Sequence, residues 1–583
     1  MPMVVSFRLW CATKKILMHI HYLALTLPLL AVALPAQTAT PAVAQATAPH
    51  ILLDTVGPDG WRIRLGPTNV GSMLESEQGR KLWEPRLVPM LGTWQQLVGD
   101  EAAFATTKAR WLGYGGRVRI GMWLAPDAGM RRSPISHFAV VFDGDGRSDL
   151  DALANDLRDL QYKTVPGEWE ERDVGGTKLA VRTQGGDVMC APYREGDHLL
   201  LAVAASGDDL APALQHAREL AHSATGKAPA PNTPALRVTF DFATIVATAM
   251  AASGSDAMWM KVLGLPSLGT HTMTVGTAGP HVQVELAQQF TSDDRGLFGA
   301  FFPAAPGLPA LLAAAPGDKD SWKAGHLDLD ALYTTIEQAV VASERTTAEE
   351  FRAEVNKEIG VDLQRDVLAH LNDEVLMTGY VPEGIAKDTT WSLAFGVRDT
   401  TAFGKSLMTM LPQAKPFLSR EAEEKHGDIP VYRYGGMLGY DLWLSVGNGV
   451  FVIAGGRDAE DLVGAALDRG KALPAVAAAG APAAALPTPH KGFEDLQRFL
   501  PGGLNGLARG DVGSVVVLPT EAWGMLVGSF APFVFRPFEA EAADGDQEEQ
   551  QQAMRTMLRT HSLDTLRTAT GYAARTWRWR LFW

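Results

Sequence analysis

The chain contains the same unit twice. Residues 138–220 and 392–467 follow one grammar of strands, turns and helices, so any fold that holds one copy must hold the other. Each copy opens on a short apolar strand, Phe138-Ala139-Val140-Val141-Phe142 in the first and Ser392-Leu393-Ala394-Phe395-Gly396-Val397 in the second. An Asp and an amphipathic helix follow. Leu150, Leu153, Leu157 and Leu160 fall at helical spacing, as do Phe403, Leu407, Met410 and Leu411. After a polar stretch come strands at 178–182 and 429–433, trailed by Gly185-Gly186 and Gly435-Gly436. The next strand ends at Glu195-Gly196-Asp197 or Gly447-Asn448-Gly449, which suit hairpins because Gly and Asn tolerate positive φ. A strand of small and apolar residues comes next, at 199–204 and 450–454. An Asp-led helix closes each copy, at Asp208-Asp209-Leu210 and Asp458-Ala459-Glu460-Asp461-Leu462. The order reads β-α-β-β-β-α, twice.

Shorter echoes flank these modules. Phe240-Asp241-Phe242 with Ile245 matches Leu327-Asp328-Leu329 with Leu332. Pro67-Thr68 with Met73-Leu74 matches Pro519-Thr520 with Met525-Leu526, and each echo reads as a strand running into a helix. Paired strands at 271–275 with 281–290, and at 375–380 with 391–397, close the blocks. The expectation is two related halves, 50–302 and 321–583, around central modules 138–220 and 392–467. Pro/Ala/Gly-rich breaks lie at 226–234, at 303–320 and, as an Ala/Pro tract, at 472–489. Residues 539–552 form an acidic, Gln-rich stretch. Hairpin-linked strands dominate over parallel crossovers. The fold class is therefore α+β: mainly antiparallel curved sheets with helices packed on one face, internally duplicated.

Over about 320–470 this grammar resembles a large family of exported bacterial proteins known only as a domain of unknown function. The residues that carry the likeness are the Leu327-Asp328-Leu329 strand, Gly360-Val361-Asp362-Leu363 with Asp366-Val367-Leu368, and Leu371-Asn372-Asp373-Glu374-Val375. The strand at 393–397 with Asp399 and the strand at 449–454 complete it. The resemblance implies an extracytoplasmic α+β protein and no activity.

The N-terminus agrees with that address. Arg8, Lys14 and Lys15 precede an apolar run at 23–34, and small residues follow. This is the layout of a signal peptide over 1–36, with cleavage as late as the Ala42-Val43-Ala44 triplet and a tether over 37–49. The alternatives are a start at Met18 and an uncleaved N-terminal anchor. No later segment is long and apolar enough to span a bilayer as a helix, and the several amphipathic helices argue against an outer-membrane barrel. With 52 Lys+Arg against 66 Asp+Glu, the net charge is -14, which repels phosphate backbones and argues against nucleic acid. Cys11 lies in the leader, so Cys190 stands alone in an apolar run, as a small buried hydrophobe and not as half of a disulfide.

Few chemical motifs survive inspection. Gly404-Lys405-Ser406 has Asp399 where a phosphate loop needs Gly, and it lies inside an amphipathic helix. No HExxH, GxSxG or SxxK occurs. His216 and His222 read as a solvated helix end. The run from Asp143 to Asp151 offers Asp143, Asp145, Asp149 and Asp151 as oxygens for a calcium ion; otherwise it is a strand-to-helix turn capped by Ser148 or Asp149. No other cofactor is implied. Trp577, Trp579, Leu581 and Trp583 alternate, as one face of a final strand would. The expectation is an exported, soluble, non-enzymatic binding or scaffold protein that presents a sheet surface or groove to a protein or an apolar ligand. The alternatives are an extracytoplasmic hydrolase with dispersed catalytic residues and a structural envelope component.

Overall fold

The computed structural model describes residues 48–77, 95, 100–124, 135–164, 167–184, 187–205, 209–223, 234–252, 257–301, 311, 321–344, 346–380, 390–414, 419–435, 441–456, 458–471, 514–519, 556–561, 565–573 and 575–582. The expected leader and nearly all of the tether lie outside these residues. So do the breaks at 226–234 and 303–320 (Pro234 and Leu311 excepted), the tract at 472–489, the stretch at 539–552, the Met525-Leu526 echo and Trp583.

In the first half, β1 (Ile51–Val56) leads through α1 (Pro58–Leu65), α2 (Asn69–Glu75) and α3 (Glu101–Leu112) to β2 (Arg117–Leu124) and β3 (Ile135–Asp143). The central module adds α4 (Leu150–Thr164), β4 (Glu170–Val174), β5 (Thr177–Gln184), β6 (Asp187–Cys190), β7 (Tyr193–Glu195), β8 (His198–Ala204) and α5 (Leu210–Ser223). Then come β9 (Leu236–Asp241), α6 (Phe242–Ala252), α7 (Ala257–Val262), β10 (Leu268–Ala278), β11 (His281–Phe290) and α8 (Leu297–Phe301).

The second half repeats the plan. It runs β12 (Ser321–His326), α9 (Leu329–Glu344), α10 (Ala348–Ile359), β13 (Leu371–Tyr380) and β14 (Thr390–Val397). Its module is α11 (Thr400–Met410), β15 (Ser419–His426), β16 (Ile429–Gly435), β17 (Leu442–Gly447), β18 (Val450–Gly455) and α12 (Ala459–Gly470). The chain finishes with β19 (Ser514–Pro519), β20 (Thr565–Ala573) and β21 (Thr576–Phe582).

Each half is one large antiparallel sheet. The first runs β4-β5-β6/β7-β8-β3-β2-β1-β9-β10-β11. The second runs β15-β16-β17-β18-β14-β13-β12-β19-β20-β21, in the same order of equivalent strands. The sheets meet where β11 pairs antiparallel with β21, from Gln283 opposite Phe582 to Gln289 opposite Thr576. The α+β class, the antiparallel sheets and the duplication are what the sequence led one to expect.

Three details differ. The polar stretches in the modules are strands, β4 and β15, which make each module β-α-β-β-β-β-α when the broken strand β6/β7 is counted as one. They form the outer edge of each sheet. Their exposed charges, Glu170 to Asp173 and Glu423 to Lys425, suit an edge that must not recruit another chain. Second, the helices do not all share one face. The modules' closing helices, α5 and α12, cover what we term the front of the sheet, and α4 and α11 cover the back. The reason is local: β18 reads Val450-Phe451-Val452-Ile453-Ala454, apolar on both sides. Val450, Val452 and Ala454 pack with Val463 and Leu467, while Phe451 and Ile453 pack with Phe403 and Leu407. Third, Pro67-Thr68 follows helix α1, not a strand. Thr68 caps α2 by accepting from the Gly71 amide at 3.1 Å. The other echo holds: β9 runs into α6 and β12 into α9, with Asp241 accepting from the Thr244 amide and Asp328 from that of Ala331.

The hairpin turns are as expected. Asn448 and Gly449 have φ of 51° and 76°, and Gly196 has φ of 60°. A tighter requirement sits at Gly396 in β14, where a Cβ would lie 2.0 Å from the Asn372 side-chain oxygen. That oxygen accepts from the Glu374 amide where β13 shifts register.

Phe582, fully buried in the core of the second module, ties the seam to that module. Phe582→Ala is expected to cost about 3–5 kcal/mol in urea unfolding; a loss under about 1 kcal/mol would show that the seam does not depend on it. Gly396→Ala is expected to cost about 1–3 kcal/mol and much less in an Asn372→Ala background. Equal costs in both backgrounds would refute the clash.

Candidate functional site

Over β2, β1, β9, β10, β11 and β21 the front of the sheet carries no helix among the described residues and is largely polar. On β12 and β13 the same face is apolar, with Ala324 and Leu376 in the second module's core, and Val515 of β19 stands opposite Ala324. Arg119, Asp54, Arg237, Thr274, Glu285 and Arg580 stand in register on β2, β1, β9, β10, β11 and β21. The next row holds Leu52, Thr239, Thr272, Ala287 and Arg578. Cross-strand neighbours of opposite sign stabilise such a face. Both carboxylates in the first row are neutralised. Asp54 accepts from Arg117 through two oxygens, at 2.5 Å from Nε on one of them, and Glu285 accepts from Arg580 Nε at 2.6 Å. Arg119 is spent on Asp143 and on the Leu220 carbonyl in the last turn of α5, where a cation suits the helix end. Arg237, exposed, and Arg578, half-buried, make no ion pair or hydrogen bond among the described residues.

The carboxylates of the acidic loop accept from protein donors. Asp143 takes Arg119 and, at 2.9 Å, His198 Nδ1. Asp145 accepts the amides of Arg147, Ser148 and Gly115 and the Ser148 hydroxyl. Burial would raise the Asp145 carboxyl, but those amide donors outweigh it and hold it below its ordinary value. Asp149 caps α4 through the amides of Asp151 and Ala152, and Asp151 pairs with Arg194 at 2.6 Å. The four carboxylates are thus turned to separate protein donors. Among the described residues no group of three or more His, Cys, Asp or Glu stands ready to hold a metal.

Beneath α5 lies a cluster that the sequence did not announce. His216 is not a solvated helix end: it is buried, and its Nδ1 lies 2.8 Å from Nε2 of His137, 79 residues away on β3. Both rings lie flat on Trp123, with centroids 4.5 and 4.9 Å from the indole. The proton arrangement follows from the partners. Ser136 Oγ is 3.1 Å from the Trp123 carbonyl, which only accepts, so the hydroxyl donates there. It then accepts from His137 Nδ1 at 3.0 Å, which leaves His137 Nε2 to accept from His216 Nδ1–H. Burial, then repulsion from His216, pulls His137 down to about 4, and burial lowers His216. His50, also buried and lowered by burial, accepts from the Leu124 amide close by. A signal existed: His216 lies three residues after Ala213 and four before Leu220, on the flank of the buried stripe. His222 is exposed, as expected.

The remaining candidates are structural. Cys190 is fully buried, accepts from the Ala202 amide at 3.2 Å, and burial pushes its thiol up to about 11. Gly404-Lys405-Ser406 lies within α11. Trp577 and Trp579 share the back face of β21 with Leu581, Trp577 against the α6 core. Leu581 is itself buried.

No protein-family model matches the chain. No curated protein matches it. Among solved structures, crystal form III of TP0453 aligns over 43% of this chain and 80% of that one, at 9% identity and a TM-score of 0.20. At that score the likeness supports no argument about fold or function.

Asp145→Ala is expected to cost about 1–2 kcal/mol through its lost amide acceptors, equally with calcium and with chelator. A calcium-dependent rise in Tm that disappears in Asp145→Ala would support the cation reading.

Proposed function

We propose that the protein is an exported, non-enzymatic binding or scaffold protein whose front strip, free of helices among the described residues, receives an acidic, extended segment of another protein. One observation carries this reading: Arg237 and Arg578 face the strip unpaired among the described residues, while Asp54 and Glu285 are already neutralised. By strand spacing and rise they stand roughly 16 Å apart. Thr239, Thr272 and Thr274 lie between or beside them as neutral donors. An apolar ligand, the other partner considered from the sequence, suits this polar strip less well. A chain of net charge -14 gains local selectivity from two uncommitted cations, because long polyanions are repelled by the rest of the surface.

Export is supported by the basic, apolar and small-residue order of 1–44 and by the resemblance to the exported family of unknown function. No helix among the described residues is long and apolar enough to cross a membrane. Amino-terminal sequencing of protein from fractionated cells checks this, with a start between residues 37 and 45 expected.

Binding is tested with a ten-residue oligoglutamate probe by calorimetry at low salt. The wild type is expected to bind and to lose affinity steeply with salt, and Arg237→Ala/Arg578→Ala to bind at least tenfold more weakly. No binding by the wild type, or equal binding by the double variant, would refute the strip as the site.

A further inference from the structure

Beneath their front helices the two halves carry different chemistry at one equivalent place of the sheet. In the first half His137 on β3 stands opposite Trp123 on β2 and Ala204 on β8. In the second, Ser392 on β14 stands opposite Thr378 on β13 and Ala454 on β18. There, the Thr378 and Ser392 hydroxyls bond each other at 2.5 Å, and neither titrates at ordinary pH. In the first half the same site holds a ring-to-ring bond that reaches across to the helix.

We propose that the His137–His216 contact is an acid-released latch, which holds α5 on the sheet at neutral pH and frees it in acid while α12 stays in place. The neutral pair has one N–H pointing at one lone pair. The first added proton goes to His216 Nε2, the free lone pair, and leaves the bond intact. The second has His137 Nε2, the very atom that accepts the bond. Its arrival sets N–H against N–H and places two cations side by side on Trp123 in a buried site.

The groups facing the pair set the balance. Asp209, at the start of α5, favours a charged His137, and Glu219 on α5 favours a charged His216. Against them stand burial, the two rings' mutual repulsion and His50, itself near Asp241. The opposing side prevails for His137, held down to about 4. A histidine whose folded value is depressed contributes stability that is complete above its unfolded value, about 6.5, and that is lost as pH falls toward 4. Release would bare Ala139, Val141 and Ala202 on the sheet and Ala217 and Leu220 on the helix, an apolar surface absent at neutral pH.

Hydrogen exchange read by mass spectrometry on the intact chain tests this, with α12 as internal reference. Protection over residues 210–223 is expected to fall at least tenfold, after correction for intrinsic rates, between pH 6.5 and 4. Over residues 459–470 it is expected to change less than threefold. In His137→Gln/His216→Gln, or in the single His137→Gln should the double variant not fold, the acid-dependent loss is expected to vanish. Parallel loss of protection in both helices of the wild type overturns the proposal, as does an unchanged acid loss in either variant.

Discussion

The pairing of β11 with β21 is the contact on which the arrangement of the molecule rests. It joins a strand ending at Phe290 to one ending at Phe582, and thereby turns two separate sheets into one body. The pairing works because both strands have two useful faces. Leu581 is buried behind, Phe582 is buried with the second module, and Arg580 closes on Glu285 in front. A strand with only one apolar side would have left the seam open to solvent on the other.

From that seam outward the strand order is a palindrome, and one logic explains it. Four units, each a lone strand followed by a hairpin, with helices between them in the first three, pair lone strand to lone strand within a half and hairpin to hairpin at the seam. The exception to full determination by repetition is the cover. Module sheets are apolar on both sides and carry helices on both. In the first half and on β21 the central strands are largely polar in front, whereas β12 and β13 carry Ala324 and Leu376 there, so the polar strip lies between α5 and the seam. The candidate binding surface is therefore a by-product of where the apolar alternation is kept and where it gives way to Thr, Arg and Glu.

The polar groups in the first half illustrate two uses of burial. The Asp143–Asp151 loop spends its carboxylates on amides and guanidinium groups, which gives a rigid strand-to-helix turn. The His137–His216 pair spends ring nitrogens on each other, which gives a contact whose strength depends on protonation. The second half shows the same position filled by hydroxyls that do not titrate. Duplication supplied the fold twice and left the two copies to differ at this position of the sheet.

Much of the local structure was legible in the residues themselves. The helical spacing of Leu150, Leu153 and Leu157, the Asn448-Gly449 turn, the matched order of elements in both modules and the burial of Cys190 follow from local periodicity and backbone preference. These act within a few residues and leave a trace in sequence. The edge strands β4 and β15 were not legible, because their charged residues hide strand periodicity behind the need to protect an edge. Nor were the seam, the division of helices between two faces, the meeting of His137 with His216, or the lack of a partner for Arg237 and Arg578 among the described residues. Each depends on which distant segments lie side by side. A periodic pattern says that a face is apolar or polar, and only the assembled sheet decides what that face will meet.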